Sequence, residues 1–200
     1  SRKSIIQKFI SNDWDVVIAT ASDDVCKKLC EIGAIHEQVD FNRGGLSPKS
    51  DLKSYASLRK IIAKWNPVLI HNFHAKPVIM GSILGKKRGV STATVVNTIT
   101  GLGHAFIIGG FPAKIAGLGY RLSVPKADCT IFQNRDDMEL FLQNSWCRQN
   151  QSKLIASSGV DITKYSKPVS MNNVDKKNLK IIMVGRLLNQ KGICEFVEVA

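Results

Sequence analysis

The chain has 200 residues, 44% of them hydrophobic and 22% charged, so a disordered or coiled-coil protein is excluded and one domain, or one domain and a fragment, is expected. Its 28 Lys and Arg against 16 Asp and Glu give a net charge of +12, which points to anionic partners such as nucleotide phosphates, lipid head groups or nucleic acid. No apolar run reaches the ~18 residues that span a bilayer.

From the amino end, residues 4–11 place Ile5, Ile6, Phe9 and Ile10 on one face of a helix. Asp15 to Thr20 is a β-branched run of the kind buried on both faces of a parallel sheet. Ser22 is expected to cap the next helix, with Val25, Cys26, Leu29 and Cys30 inward and Gly33 as its stop. A weak strand near Ile35 to Phe41 leads into the turn-rich Arg43-Gly44-Gly45-Leu46-Ser47-Pro48. Asp51 to Trp65 predicts an amphipathic helix with Leu52, Tyr55, Leu58, Ile61 and Ile62 on its apolar face, followed by a strand over Pro67 to His71. Pro77 sits in the first turn of a helix ending near Lys87. A strand follows over Ser91 to Ile99, then the loop Thr100-Gly101-Leu102-Gly103-His104 and a helix from Pro112 to Val124 containing Gly117 and Gly119. Asp128 to Phe132 is a strand, Arg135 to Gln143 a helix, and Leu154 to Ala156 a last short strand.

Alternation of strands with helices of this length predicts βαβ units and a doubly wound parallel α/β sheet. Ligands of such sheets bind at the carboxyl ends of the strands, which selects the loops after Thr20, His71, Ile99, Phe132 and Ala156. Residues 162–178 turn to Lys, Ser, Asn and Asp, as a linker does. Leu179 to Val184 then opens a second βα unit, and Glu195 to Ala200 reads as an unfinished helix. The amino end, Ser1-Arg2-Lys3, carries no initiator Met, so both ends read as cut.

In Ile182-Met183-Val184-Gly185-Arg186-Leu187-Leu188-Asn189-Gln190-Lys191-Gly192 a strand ends, glycine turns the chain, and two cations precede a helix amino terminus. That arrangement suits a diphosphate, gripped bidentately by arginine and by the point charge of lysine. The residues alone leave this open against a solvated pair of surface cations. Thr100-Gly101-Leu102-Gly103 is no dinucleotide fingerprint, because Phe106 stands where the third glycine belongs. His71 ends a strand, His74 lies in the loop after it and rates below it as a site residue, and His104 follows a glycine pair. Asn134 is a natural N-cap for the helix that follows, which favours a structural role. No three histidines or carboxylates show metal-ligand spacing, so no metal is expected. The five cysteines, Cys26, Cys30, Cys129, Cys147 and Cys194, hold no C-x-x-C pair and read as free thiols of a cytoplasmic protein. The basic residues form no aromatic-interleaved stripe, so nucleic acid is not an expected partner. Lys114, Arg121 and Lys126, in or near the helix after Gly109-Gly110-Phe111-Pro112, suit either an anionic membrane surface or ordinary solvated cations on a partly buried helix.

Strand, G-R-L, K-G and helix in this order resemble the opening of the donor domain in family 4 glycosyltransferases, enzymes of the two-domain GT-B fold. Gly159-Val160-Asp161 with Tyr165 is similar to the signature before that family's domain crossover. The stretches Arg43 to Pro48, Asn97 to Gly103 and Phe132 to Asp137 resemble the subgroup that assembles bacterial capsule and O-antigen. The resemblance implies an acceptor-side Rossmann-like domain over residues 1–161 whose first strand is missing, a linker over 162–178, and the start of the nucleotide-sugar domain over 179–200. It implies a retaining transfer of a hexose or N-acetylhexosamine from a UDP-sugar to a polyprenyl-diphosphate-linked acceptor, with neither metal nor cofactor. Arg186 and Lys191 would hold the diphosphate, His71 or His104 would be the functional histidine, and Thr100, Gly101, Gly103 and Asn134 would line the acceptor cleft. The expected location is the cytoplasm, peripheral at the inner face of the membrane. The family's donor-sugar motif, E-x-x-x-x-x-x-x-E, would fall beyond Ala200. A nucleotide-sugar epimerase of the same architecture, or an inactive remnant acting as a basic binding module, stays open.

Overall fold

The computed structural model describes residues 2–42, 47–102, 106, 109–157, 159, 162, 181–185 and 191–199. The chain divides into two units, Ser1–Val160 and Asp161–Ala200.

In the first unit, α1 (Lys3–Ile10) leads to β1 (Val17–Thr20), α2 (Asp24–Cys30) and β2 (Ile35–Gln38). Then come α3 (Pro48–Trp65), β3 (Leu69–Phe73), α4 (Ala75–Gly85), β4 (Thr94–Ile99), α5 (Gly110–Ser123), β5 (Cys129–Phe132), α6 (Arg135–Gln143) and β6 (Ser152–Leu154). Every strand pair is parallel, as alternating strands and helices require. The strands form two sheets, β1-β2 and β3-β4-β5-β6. Among the described residues no ladder joins β1 to β3. Ala19 of β1 and Ile70 of β3 nevertheless pack on the same apolar cluster, built from Leu58 and Ile62 of α3 and Met80 and Leu84 of α4.

The larger core lies under α4, α5 and α6, where Val78, Ile99, Tyr120, Val124, Phe132 and Phe141 are buried together. Two helix glycines let these layers close. A Cβ on Gly117 would stand 2.8 Å from the Trp146 ring, and one on Gly119 would stand 2.7 Å from Ile79. A buried polar trio ties the sheet to α4. The Asn72 side chain donates to Asn97 Oδ1 at 3.0 Å, and Asn97 Nδ2 donates to the Ser82 hydroxyl at 2.9 Å. Such a satisfied network fixes the register of β3 against β4, since a one-residue slip would strand each partner in the core.

Several boundaries differ from the sequence expectation. Asp23, not Ser22, caps α2, its carboxylate accepting from the Cys26 backbone N–H at 2.7 Å. The helix therefore starts one residue later and turns Val25 and Cys30 to solvent, leaving Cys26 and Leu29 inward. α3 begins at Pro48 rather than Asp51, and Leu52 on its first turns is exposed. β3 extends past His71 to Phe73, and β6 ends at Leu154 instead of starting there.

In the second unit, Ile181–Val184 carry no strand, whereas one was expected. A strand needs a neighbour to complete its hydrogen bonds, and none is offered among the described residues. α7 (Ile193–Val199) forms where the closing helix was anticipated.

Candidate active site at the carboxyl ends of the strands

β3 and β4 run side by side with Phe73 opposite Thr98, so their carboxyl ends open onto one shared rim. His71, Phe73 and Thr98 lie on one face of the sheet, by alternation from that register, and Asn72 and Asn97 lie on the other. Two polar bridges join β3 and the residue after it to β4 and the residue after it. The His71 Nε2 lies 2.8 Å from the Thr98 hydroxyl, and the Thr100 hydroxyl lies 3.1 Å from His74 Nδ1. Thr100 and Gly101 continue directly from β4, and Gly101 has a φ of 130° with open space where a side chain would sit. Substitution there would strain the backbone.

His74 is the turn itself. Its φ of 67° and ψ of 162° lie in a region that side-chain-bearing residues avoid, and it stands at the N-cap of α4. The backbone strain places an exposed imidazole at the rim, next to the positive end of the helix dipole. His74 is thus closer to the mouth of the site than His71, although strand-end logic ranked it lower. Its position immediately before Ala75-Lys76-Pro77, a helix start, was the signal available in the sequence.

His71 sits deeper, its ring stacked on Phe73 at 4.2 Å. The Arg2 guanidinium lies 3.9 Å from the centre of that same Phe73 ring. Burial, with the charge of Arg2 added, pushes the His71 imidazole down to about 4. At neutral pH His71 is therefore uncharged and works as a hydrogen-bonding ring rather than a proton donor in exchange with solvent. Arg2 carried no motif and escaped notice in the sequence, because its contact joins the chain start to β3.

Other candidates fall elsewhere. The Asn134 amide group is occupied at both ends by Asp137, accepting from its backbone N–H at 2.7 Å and donating to its carboxylate at 2.8 Å. It caps α6, the structural role its position favoured. Lys76 is paired with Asp51 of α3 at 2.6 Å. Lys191 is exposed, two residues ahead of α7. Arg186, Gly103 and His104 lie outside the described residues, as does the Arg43–Leu46 loop. Among the described residues no three His, Cys, Asp or Glu side chains group as metal ligands, and no helix is long and apolar enough to cross a membrane.

A family model described as "Glycosyl transferase 4-like" matches residues 2–134, which includes both bridges and every strand through β5. The chain belongs to the glycosyl transferase 4-like family. Within that family it is similar to a Campylobacter jejuni protein named N,N'-diacetylbacillosaminyl-diphospho-undecaprenol alpha-1,3-N-acetylgalactosaminyltransferase, at 27% identity over 100% of this chain and 56% of the relative. It is also similar to an Escherichia coli UDP-Gal:alpha-D-GlcNAc-diphosphoundecaprenol alpha-1,3-galactosyltransferase, at 29% identity over 75% of this chain and 40% of the relative. The chain thus spans about half the length of these curated relatives. A crystal structure of a glycosyltransferase from Rickettsia africae shares its fold, with a TM-score of 0.59 at 16% identity over 100% of this chain and 46% of that one. The α/β parallel architecture expected from the alternating pattern is the one found.

Proposed function

We propose that this chain is the acceptor-side part of a retaining glycosyltransferase. The whole protein moves a hexose or N-acetylhexosamine from a UDP-sugar to a polyprenyl-diphosphate-linked saccharide in bacterial surface polysaccharide synthesis. The observation that carries the reading is the family match over residues 2–134, which spans the polar rim at the ends of β3 and β4. Two relatives whose names specify diphosphoundecaprenol-linked acceptors support the acceptor class.

In the reaction, the bond from the anomeric carbon to the donor diphosphate breaks and a bond to an acceptor hydroxyl oxygen forms. The hydroxyl proton leaves with the diphosphate. Negative charge grows on that diphosphate, and Arg186 and Lys191 are the cations assigned to receive it, in place of a metal. His74 and Thr100 offer hydrogen bonds to sugar hydroxyls at the rim, and neutral His71 with Thr98 props the strand ends beneath them. A lipid-linked acceptor places the protein peripherally at the inner face of the cytoplasmic membrane.

The test offers radiolabelled UDP-sugars and membrane extract to the full-length protein. Label should enter the lipid fraction, and Arg186→Ala with Lys191→Ala should lower the rate by about 10²–10³-fold. Interconversion of the free sugar nucleotide without lipid labelling would overturn the transferase in favour of an epimerase.

A further inference from the structure

Helix α5 buries one side and leaves the opposite side uncovered. Gly117, Tyr120 and Ser123 are buried. Phe111, Ile115, Leu118 and Leu122 are exposed, at 73%, 36%, 56% and 59%. Their spacing of four, three and four residues lines them along a single stripe opposite the buried one. Four large apolar side chains in one line exceed the scattered exposure normal for a soluble surface. The charges beside the stripe are of one sign. Lys114 and Arg121, seven residues apart on one flank, are exposed, as is Lys126 just beyond the helix, and α5 contains no acidic residue. Lys114, Arg121 and Leu118 also border a shallow cleft of about 400 Å³ whose other walls are Ala113, Gly117 and Trp146.

We propose that α5 is a membrane-docking helix, lying in the interface of an anionic phospholipid bilayer with its apolar stripe inserted and Lys114, Arg121 and Lys126 on the head groups. This deepens the proposed function, on which it rests for the presence of a membrane nearby. Charge complementarity selects lipid over a protein partner. A line of apolar side chains flanked by cations alone matches a hydrocarbon boundary under a sheet of phosphates, whereas a second copy of this face would oppose like charges. The cleft at Trp146 gives a head-group phosphate a place between two cations.

Flotation of the full-length protein with vesicles tests the proposal without donor or acceptor sugar. Binding is expected to phosphatidylcholine vesicles containing phosphatidylglycerol, to weaken on omitting phosphatidylglycerol, and to fall with added salt. Leu118→Asp with Leu122→Asp should reduce partitioning at least about tenfold. Lys114→Gln with Arg121→Gln should remove most of the phosphatidylglycerol dependence, about fivefold per charge. All four positions are exposed, so unchanged thermal midpoints and circular dichroism are expected for both variants. Equal flotation of wild type and variants, or none by wild type, would overturn the docking helix while leaving sugar transfer to be judged by its own assay. Loss of a concentration-dependent dimer in the Leu118 and Leu122 variant, without change in flotation, would reassign the stripe to a second copy of the chain.

Discussion

His71 links the site to the stability of the fold through a single proton. Its pKa drops from 6.5 in the unfolded chain to about 4 in the folded one. Below 6.5 the unfolded chain gains a proton that the folded chain refuses, so stability is complete above that pH and declines as the pH falls toward 4. The loss amounts to at most ~3 kcal/mol, since each pKa unit corresponds to about 1.4 kcal/mol. Urea unfolding followed at intervals from pH 7 to 4 should show this slope in the wild type, superposed on the carboxylates, and a shallower one in His71→Gln. Removing the neighbouring charge with Arg2→Ala should raise the His71 midpoint in an NMR titration; an unmoved midpoint would leave burial as its entire cause. At the rim, the exposed position of His74 comes with a strained backbone.

At the scale of elements, α2 shows how a cap sets a boundary. Asp23→Ala should lower stability by about 1 kcal/mol in equilibrium unfolding, and Ser22→Ala by less than about 0.5 kcal/mol. Equal losses would mean that Ser22 shares the cap. The order and type of the elements in the first unit were legible because each strand is a short apolar run and each helix from α3 on is long enough to show its period. Their ends were not, since an N-cap is chosen between adjacent polar residues by geometry that the sequence does not display. Val25 and Leu52 fit an apolar face by spacing, yet face solvent because no layer among the described residues covers those first turns. Gly117 and Gly119 were visible in the sequence as two glycines within a helix; their partners Trp146 and Ile79 lie outside α5 and could not be paired with them by sequence distance. The candidate rim was legible through the strand-end rule, which singled out His71, Thr100 and Gly101, residues that lie near the ends of β3 and β4. The bridges from β3 to β4 depend on register, so the pairing of His74 with Thr100 emerged only from the sheet.

Across the whole first unit, the break between β1 and β3 divides the strands unequally. The β3-β4-β5-β6 sheet lies beneath α4, α5 and α6, with β4 hydrogen-bonded on both sides. The β1-β2 pair meets α3 and α4 through one apolar cluster, to which β1 gives a single alanine, and through Glu37 of β2, whose carboxylate accepts from Lys64 and Trp65 of α3. Local opening should therefore begin at β1 and β2. Hydrogen exchange should replace the amides of Val17–Thr20 well before those of Thr94–Ile99, and matched protection of the two would show that the pairs open together. The same break has a colloidal consequence. Unpaired strand edges recruit other chains, and proteins usually guard them with lysine, glutamate or proline. Val17-Ile18-Ala19-Thr20 and Leu69-Ile70-His71-Asn72-Phe73 contain none of these gatekeepers. Concentrated solutions of this chain by itself would then clear through intermolecular strand pairing, with the high net charge and salt concentration setting how fast the precipitate forms.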